Sequence, residues 1–351
     1  MDAVSFHGSI LPKPVETTPC EGIVMFKYII KKTASWLVVI FLATNIAYLL
    51  AATFLDPRSN YVGRNPPLGP EEIGRILTPL GLNPETPLIE RWWGWLSNII
   101  FHWDWGTSPL GDPVSAQIGH RALVSAQLLL VATILSVVIG VALGVYTASR
   151  QYKAADRFWQ GVSIITMNTH VVVASILVVA GGLWINRVTG HRVVYVTGAS
   201  SLGVEGFFPK LLDMAQHLIL PSISLIIISY AGYHMMQRTL LLDNLNADYV
   251  RTARAKGLTR SQAIRKHALR TSIIPVATSV AFSVPGIFTG AIMTETIFAW
   301  KGMGQYFIET ISRNDVNGTT AVAAFGAVMI AFSAILADLV VVALDPRVRV
   351  S

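Results

Sequence analysis

The chain is short of charge: 13% of its 351 residues are Asp, Glu, Lys or Arg, and 52% are hydrophobic. A soluble domain carries about a quarter charged residues. That class is excluded, and an all-α polytopic membrane protein is expected. The one cysteine, Cys20, rules out an internal disulfide framework and a cysteine-based metal site. No Gly-Lys dipeptide occurs, so there is no Walker A loop to cradle nucleotide phosphates. HExxH, CxxC and GxSxG are also missing, which removes common zinc, redox and serine-hydrolase signatures. The eight histidines are scattered with no pair at i, i+4, so no metal site is expected. A secondary transporter, the main rival of another class, should show coupling acids in mid-span or an internal repeat. Neither is found.

What is present is a series of apolar runs separated by polar segments. Residues 1–24 are polar, with Pro12, Pro14 and Pro19. They lack the apolar core of a signal peptide and are expected to form a flexible tail. Residues 25–35 alternate Phe26, Ile29 and Ile30 with Lys27, Lys31 and Lys32, the pattern of an interfacial amphipathic helix. A first span is expected over 36–55 and a Pro/Gly-rich extracytoplasmic domain over 56–121. Trp92, Trp93, Trp95, Trp103 and Trp105 cluster near the end of that domain. Indole groups favour the headgroup interface, so the cluster fits an outer-leaflet helix, a peptide-stacking site or a dock for a binding protein. Further spans are expected near 122–148, 158–185, 217–237, 272–298 and 319–344. Gly140 and Gly144 form a small-xxx-small pair that admits a neighbouring helix.

The net charge is +7. A basic balance suits nucleic acid, but these bases mostly flank apolar runs, so membrane orientation explains them and no nucleic-acid partner is expected. Lysine and arginine are densest before the first span, in the Arg150–Arg157 loop and between spans four and five. That bias predicts both termini in the cytoplasm and a multi-pass protein of the plasma membrane.

The segment between spans four and five, NLNADYVRTARAKGLTRSQAIRKHALRTSIIP, is the most basic in the chain. It reads as helix, turn, helix. Asn246 is placed to cap a first helix through Lys256, and Gly257 to end it, since glycine takes a left-handed C-cap cheaply. Thr259 and Gln262 fit a capping box that restarts a helix. Membrane lipid is one partner for such a loop. A second protein is another, because Ala253, Ala255 and Gly257 leave a low-profile helix end.

YVRTARAKGL, followed by HALR and IIP, resembles the cytoplasmic EAA loop of ATP-binding cassette (ABC) importer permeases. TETIFAWKGMG and LDPRVR resemble the same proteins, in particular the dipeptide/oligopeptide/nickel permease family and its first, B-type subunit. The resemblance covers about 25–349. It implies an ABC type I importer fold with a transmembrane core over 122–349 and a coupling loop over 244–272. By position, Arg251-Thr252-Ala253 stands on the motif's Glu-Ala-Ala, and the coupling residues are Tyr249, Arg251, Thr252, Ala253, Arg254, Ala255, Lys256 and Gly257. Relatives carry an early proline in span three, where this chain has Asn168-Thr169-His170.

The resemblance further implies a non-catalytic subunit that binds no cofactor, with ATP and magnesium held by two ABC ATPase subunits or domains. A second homologous permease and an extracytoplasmic solute-binding protein complete the implied set. The cargo is read as peptide, with nickel chelates or glutathione as alternatives. Polar or helix-bending residues in the spans are candidates for the pathway or gate: Asn45, Asn168, His234, Pro285, Gly286 and Glu295. Ionisable groups in a span face the bundle or water, and a proline permits a kink.

Overall fold

The computed structural model describes residues 20–63, 65–201, 203–289 and 291–344. Of the expected tail, residues 1–19 lie outside the described residues. So do Asp345 to Arg349 of the LDPRVR motif.

The described residues are built on helices, six of them long and apolar enough to cross a membrane. Helix α1 (Cys20–Phe54) runs without a break through both the segment expected at the interface and the first span. Nothing in that sequence stops it, for it holds no proline and its one glycine, Gly22, lies in the first turn. Two short helices follow, α2 (Pro70–Leu77) and α3 (Leu88–His102). They close a small core in which Leu77, Leu82, Trp95 and Leu96 pack on Tyr48 and Ala51 of α1.

Helix α4 (Val114–Ala148) packs lengthwise on α7 (Phe207–Leu245). A β-carbon at Gly140 would stand 2.6 Å from the Tyr230 carbonyl oxygen, and one at Gly144 2.8 Å from Gln237 Cβ. Glycine is what lets these backbones approach. The third apolar run is not one helix but two, α5 (Ala154–Met167) and α6 (Val171–Thr189). Asn168 Nδ2 bonds back to the Ile164 carbonyl at 2.7 Å, and the Val172 amide donates to His170 Nδ1. These polar side chains compete with the backbone ladder and divide the run.

After α7 come α8 (Asp248–Ala255), α9 (Arg260–Ala263) and a π-helical turn over Ile264–Ala268 that runs into α10 (Leu269–Phe282). The fifth apolar run is likewise divided, into α10, α11 (Val284–Thr289) and α12 (Ile292–Ile297). Pro285 lies where the second of these begins. Helix α13 (Met303–Ser312) leads to α14 (Val316–Leu344), which packs on α1, α10 and α11. The bundle has a basic end, carrying the α8–α9 hairpin, and an opposite end, carrying α2, α3 and the tryptophans.

Candidate functional site

The hairpin is a braced projection. Val250 and Ala253, three residues apart on α8, are buried against Ala148, Leu241, Ala263, Ile264 and Ala268. The opposite face presents Tyr249, Arg251, Thr252, Arg254, Ala255, Lys256 and Gly257, all exposed. Arg251 keeps 70% of its side-chain exposure and reaches Asp248 only at 4.0 Å, so solvent screens that pair.

Both ends of α8 are determined locally. The Gly257 amide bonds to the Arg254 carbonyl at 3.0 Å and Leu258 to Ala253 at 3.3 Å. With Gly257 at φ +94°, this is a Schellman ending. Thr259 and Gln262 exchange the two capping bonds, at 3.3 and 3.0 Å. Asn246, however, does not cap α8. It closes α7, and the N-cap is Ala247, whose side chain accepts no bond. Ala253 also differs from expectation, since it faces inward, where its small size lets α8 sit on Ala263 and Ala268.

The structure does not gather the pathway candidates into one site. Asn45 accepts from Trp92 Nε1 at 2.7 Å and donates to the Phe41 carbonyl, tying α1 to α3. Asn168 is an exposed helix cap. His234 is fully buried, with Thr147 Oγ1 at 3.0 Å from Nε2 and Ser163 Oγ at 2.6 Å from Nδ1. Pro285 is half-buried and Gly286 exposed. Glu295 is fully buried. It accepts from Ser125 Oγ at 2.6 Å and from the Gln305 and Ala291 amides at 3.1 and 3.3 Å. Ser125 in turn accepts from the Met303 amide at 2.7 Å. Glu295 thus knits the TETIFAWKGMG turn to α4.

A polar cluster that sequence reasoning missed stands beside the hairpin. Asp156, fully buried, accepts from Arg238 Nε at 2.8 Å and Nη2 at 2.9 Å, from the Tyr152 amide at 2.9 Å and from Gln160 at 2.8 Å. The Arg238 bonds, above all, hold its carboxyl down to about 2. The signal was an acid alone in an otherwise basic loop. A second missed pair joins Lys32 on α1 to Asp338 on α14. The tryptophans separate by role: Trp95 stacks on Tyr48 with centroids 4.3 Å apart, while Trp93 and Trp103 are exposed.

Among the described residues, six long apolar helices with a braced basic hairpin between the fourth and fifth make a multi-pass membrane protein. Residues 140–350 match the model of the binding-protein-dependent transport system inner membrane component, and the chain belongs to that family. It is 38% identical over 328 residues to the oligopeptide transport system permease protein OppB of Mycobacterium tuberculosis (strain H37Rv), covering 93% of this chain and all of that one. It is 30% identical to oligopeptide permease protein AppB of Bacillus subtilis, over 93% of this chain and all of the other. The dipeptide permease protein DppB of Escherichia coli K12 is 30% identical over 80% of this chain and 86% of its own. The chain is therefore a permease subunit within a transport system of several parts.

Proposed function

We propose that this chain is the first, B-type permease of an ATP-driven importer of peptides, worked by ATPase subunits that grip the α8 hairpin. The carrying observation is that α8 is fastened to the bundle on one face by Val250 and Ala253 and bare on the other. A helix held this way moves with the spans as a rigid body, so a force on its exposed face reaches α7 and α10 directly. The chain has no phosphate-cradling motif of its own, so ATP and magnesium belong to the partner subunits. A second permease completes the path, and a solute-binding protein delivers cargo at the opposite end. The density of lysine and arginine at the basic end supports a cytoplasmic side for that end and for both termini. Peptide is the cargo that the names of the relatives support.

The test uses the complete transporter in proteoliposomes. Ala255→Trp adds bulk to the exposed face of α8 and leaves the Val250–Ala253 seat intact. ATP hydrolysis stimulated by the binding protein and peptide should fall at least tenfold, with the permease still inserted. Unchanged stimulation would overturn the docking role. Gly257→Trp should do the same, with added backbone strain from the positive φ.

A further inference from the structure

Four cations off the exposed face of α8 surround a cavity of about 490 Å³ at the basic end. Arg150 and Lys153 come from the loop after α4, and Arg260 and Arg265 from α9 and the π-turn. Ser149 and Ser261 add two hydroxyls, and no carboxylate lines the space. Among the described residues none of the four cations forms an ion pair. Arg150 is steered by the Tyr146 ring, 4.1 Å from its guanidinium carbon. Such a cavity attracts an anion with several oxygen acceptors.

The floor of the cavity says more about that anion. Val145 on α4 and Leu269 on α10 lie at its apolar side. One turn further along the same faces, Val141 and Ile273 enter a second groove, of about 540 Å³. Val137 continues the α4 face at the four-residue step, and Val276 and Val280 continue that of α10. From Leu269 to Val280 this apolar track is about 16 Å long at 1.5 Å per residue. A cationic cup leading into an apolar track of that length matches one molecule in its charge order, a phospholipid with an anionic headgroup.

We propose that the cup and track form a binding site for an anionic phospholipid: phosphate among Arg150, Lys153, Arg260 and Arg265, one acyl chain between α4 and α10. The site goes beyond the transport role and does not depend on it. A lipid seated there bridges the loop after α4 to the element that carries the hairpin.

The test is native mass spectrometry and fluorescent-lipid titration of the purified transporter, with phosphatidylglycerol as probe and phosphatidylcholine as control. The wild type should retain phosphatidylglycerol in detergent and discriminate against phosphatidylcholine. Each cation near a headgroup contributes a factor of about five. Arg260→Gln with Arg265→Gln should therefore weaken phosphatidylglycerol roughly twenty-five-fold. Arg251→Gln, an equal loss of charge on the exposed face of α8, should leave it within about twofold, since that charge is screened. Val276→Trp fills the track, and should weaken the lipid but not soluble glycerol phosphate. That arm separates a lipid from a free phosphate. Melting of each variant without added lipid checks its fold. Equal retention by the double variant, equal loss from Arg251→Gln, or tight binding of glycerol phosphate alone would overturn the proposal. So would a groove filled by the second permease in the assembled transporter.

Discussion

Removing the Asp156 carboxylate should be among the most damaging single changes at the basic end. Asp156 is fully buried and the Arg238 side chain is 12% exposed, with two bonds of 2.8 and 2.9 Å between them. Asp156→Ala leaves a guanidinium charge buried without its partner, which costs about 3–5 kcal/mol. The small exposure of Arg238 admits some water, so the lower end of that range is expected. The Tyr152 amide also loses its acceptor. Replacing both residues with apolar ones of similar size, Asp156→Leu with Arg238→Met, should recover most of the loss, because a buried pair contributes little over well-packed hydrocarbon. The assay is reversible unfolding in detergent, run as a double-mutant cycle. The pH dependence has a definite sign. The folded carboxyl is held at about 2 against an ordinary 3.8. Its contribution is present above 3.8 and is lost as pH falls through about 2. The wild type should lose this stability in that window and the double variant should not. A single variant within about 1 kcal/mol of wild type, or equal acid sensitivity in both proteins, would refute the reasoning.

Three further outcomes follow from contacts elsewhere. Gly140→Leu should push α4 off the Tyr230 carbonyl and cost about 1–3 kcal/mol or prevent assembly, read by detergent melting. Trp92→Phe removes the donor to Asn45 and should cost about 1 kcal/mol, while Trp93→Phe, exposed, should be silent in the same melt. Glu295→Ala strips the acceptor from Ser125 and from the Gln305 and Ala291 amides. It should destabilise by about 3 kcal/mol or more, and Glu295→Gln, which keeps an acceptor oxygen, by less.

Several elements were legible because their signals are local. Gly257 ends α8 and Thr259 with Gln262 restarts the chain, since backbone conformation and capping bonds involve residues within a few positions of each other. The inward turn of Ala253 was also legible in retrospect, as it lies three residues from Val250 on one helical face. The breaks at Asn168-Thr169-His170 and around Pro285 were harder. Both lie in apolar runs long enough to span, and the cut depends on where a few side chains find their bonds. The burial of Glu295 was not legible, because its partner Ser125 is 170 residues away.

The sequence by itself determined that this is a multi-pass membrane chain with a basic hairpin between its fourth and fifth apolar runs. Those properties follow from composition, run length and charge order, which need no folded partner to exist. Tertiary structure alone decided which polar groups are spoken for. Asp156 meets Arg238, His234 meets Ser163 and Thr147, and Asn45 meets Trp92 only once helices distant in sequence pack side by side. The same packing set Arg150 and Lys153 of the loop after α4 beside Arg260 and Arg265 of α9 and the π-helical turn, an encounter that no reading along one dimension contains.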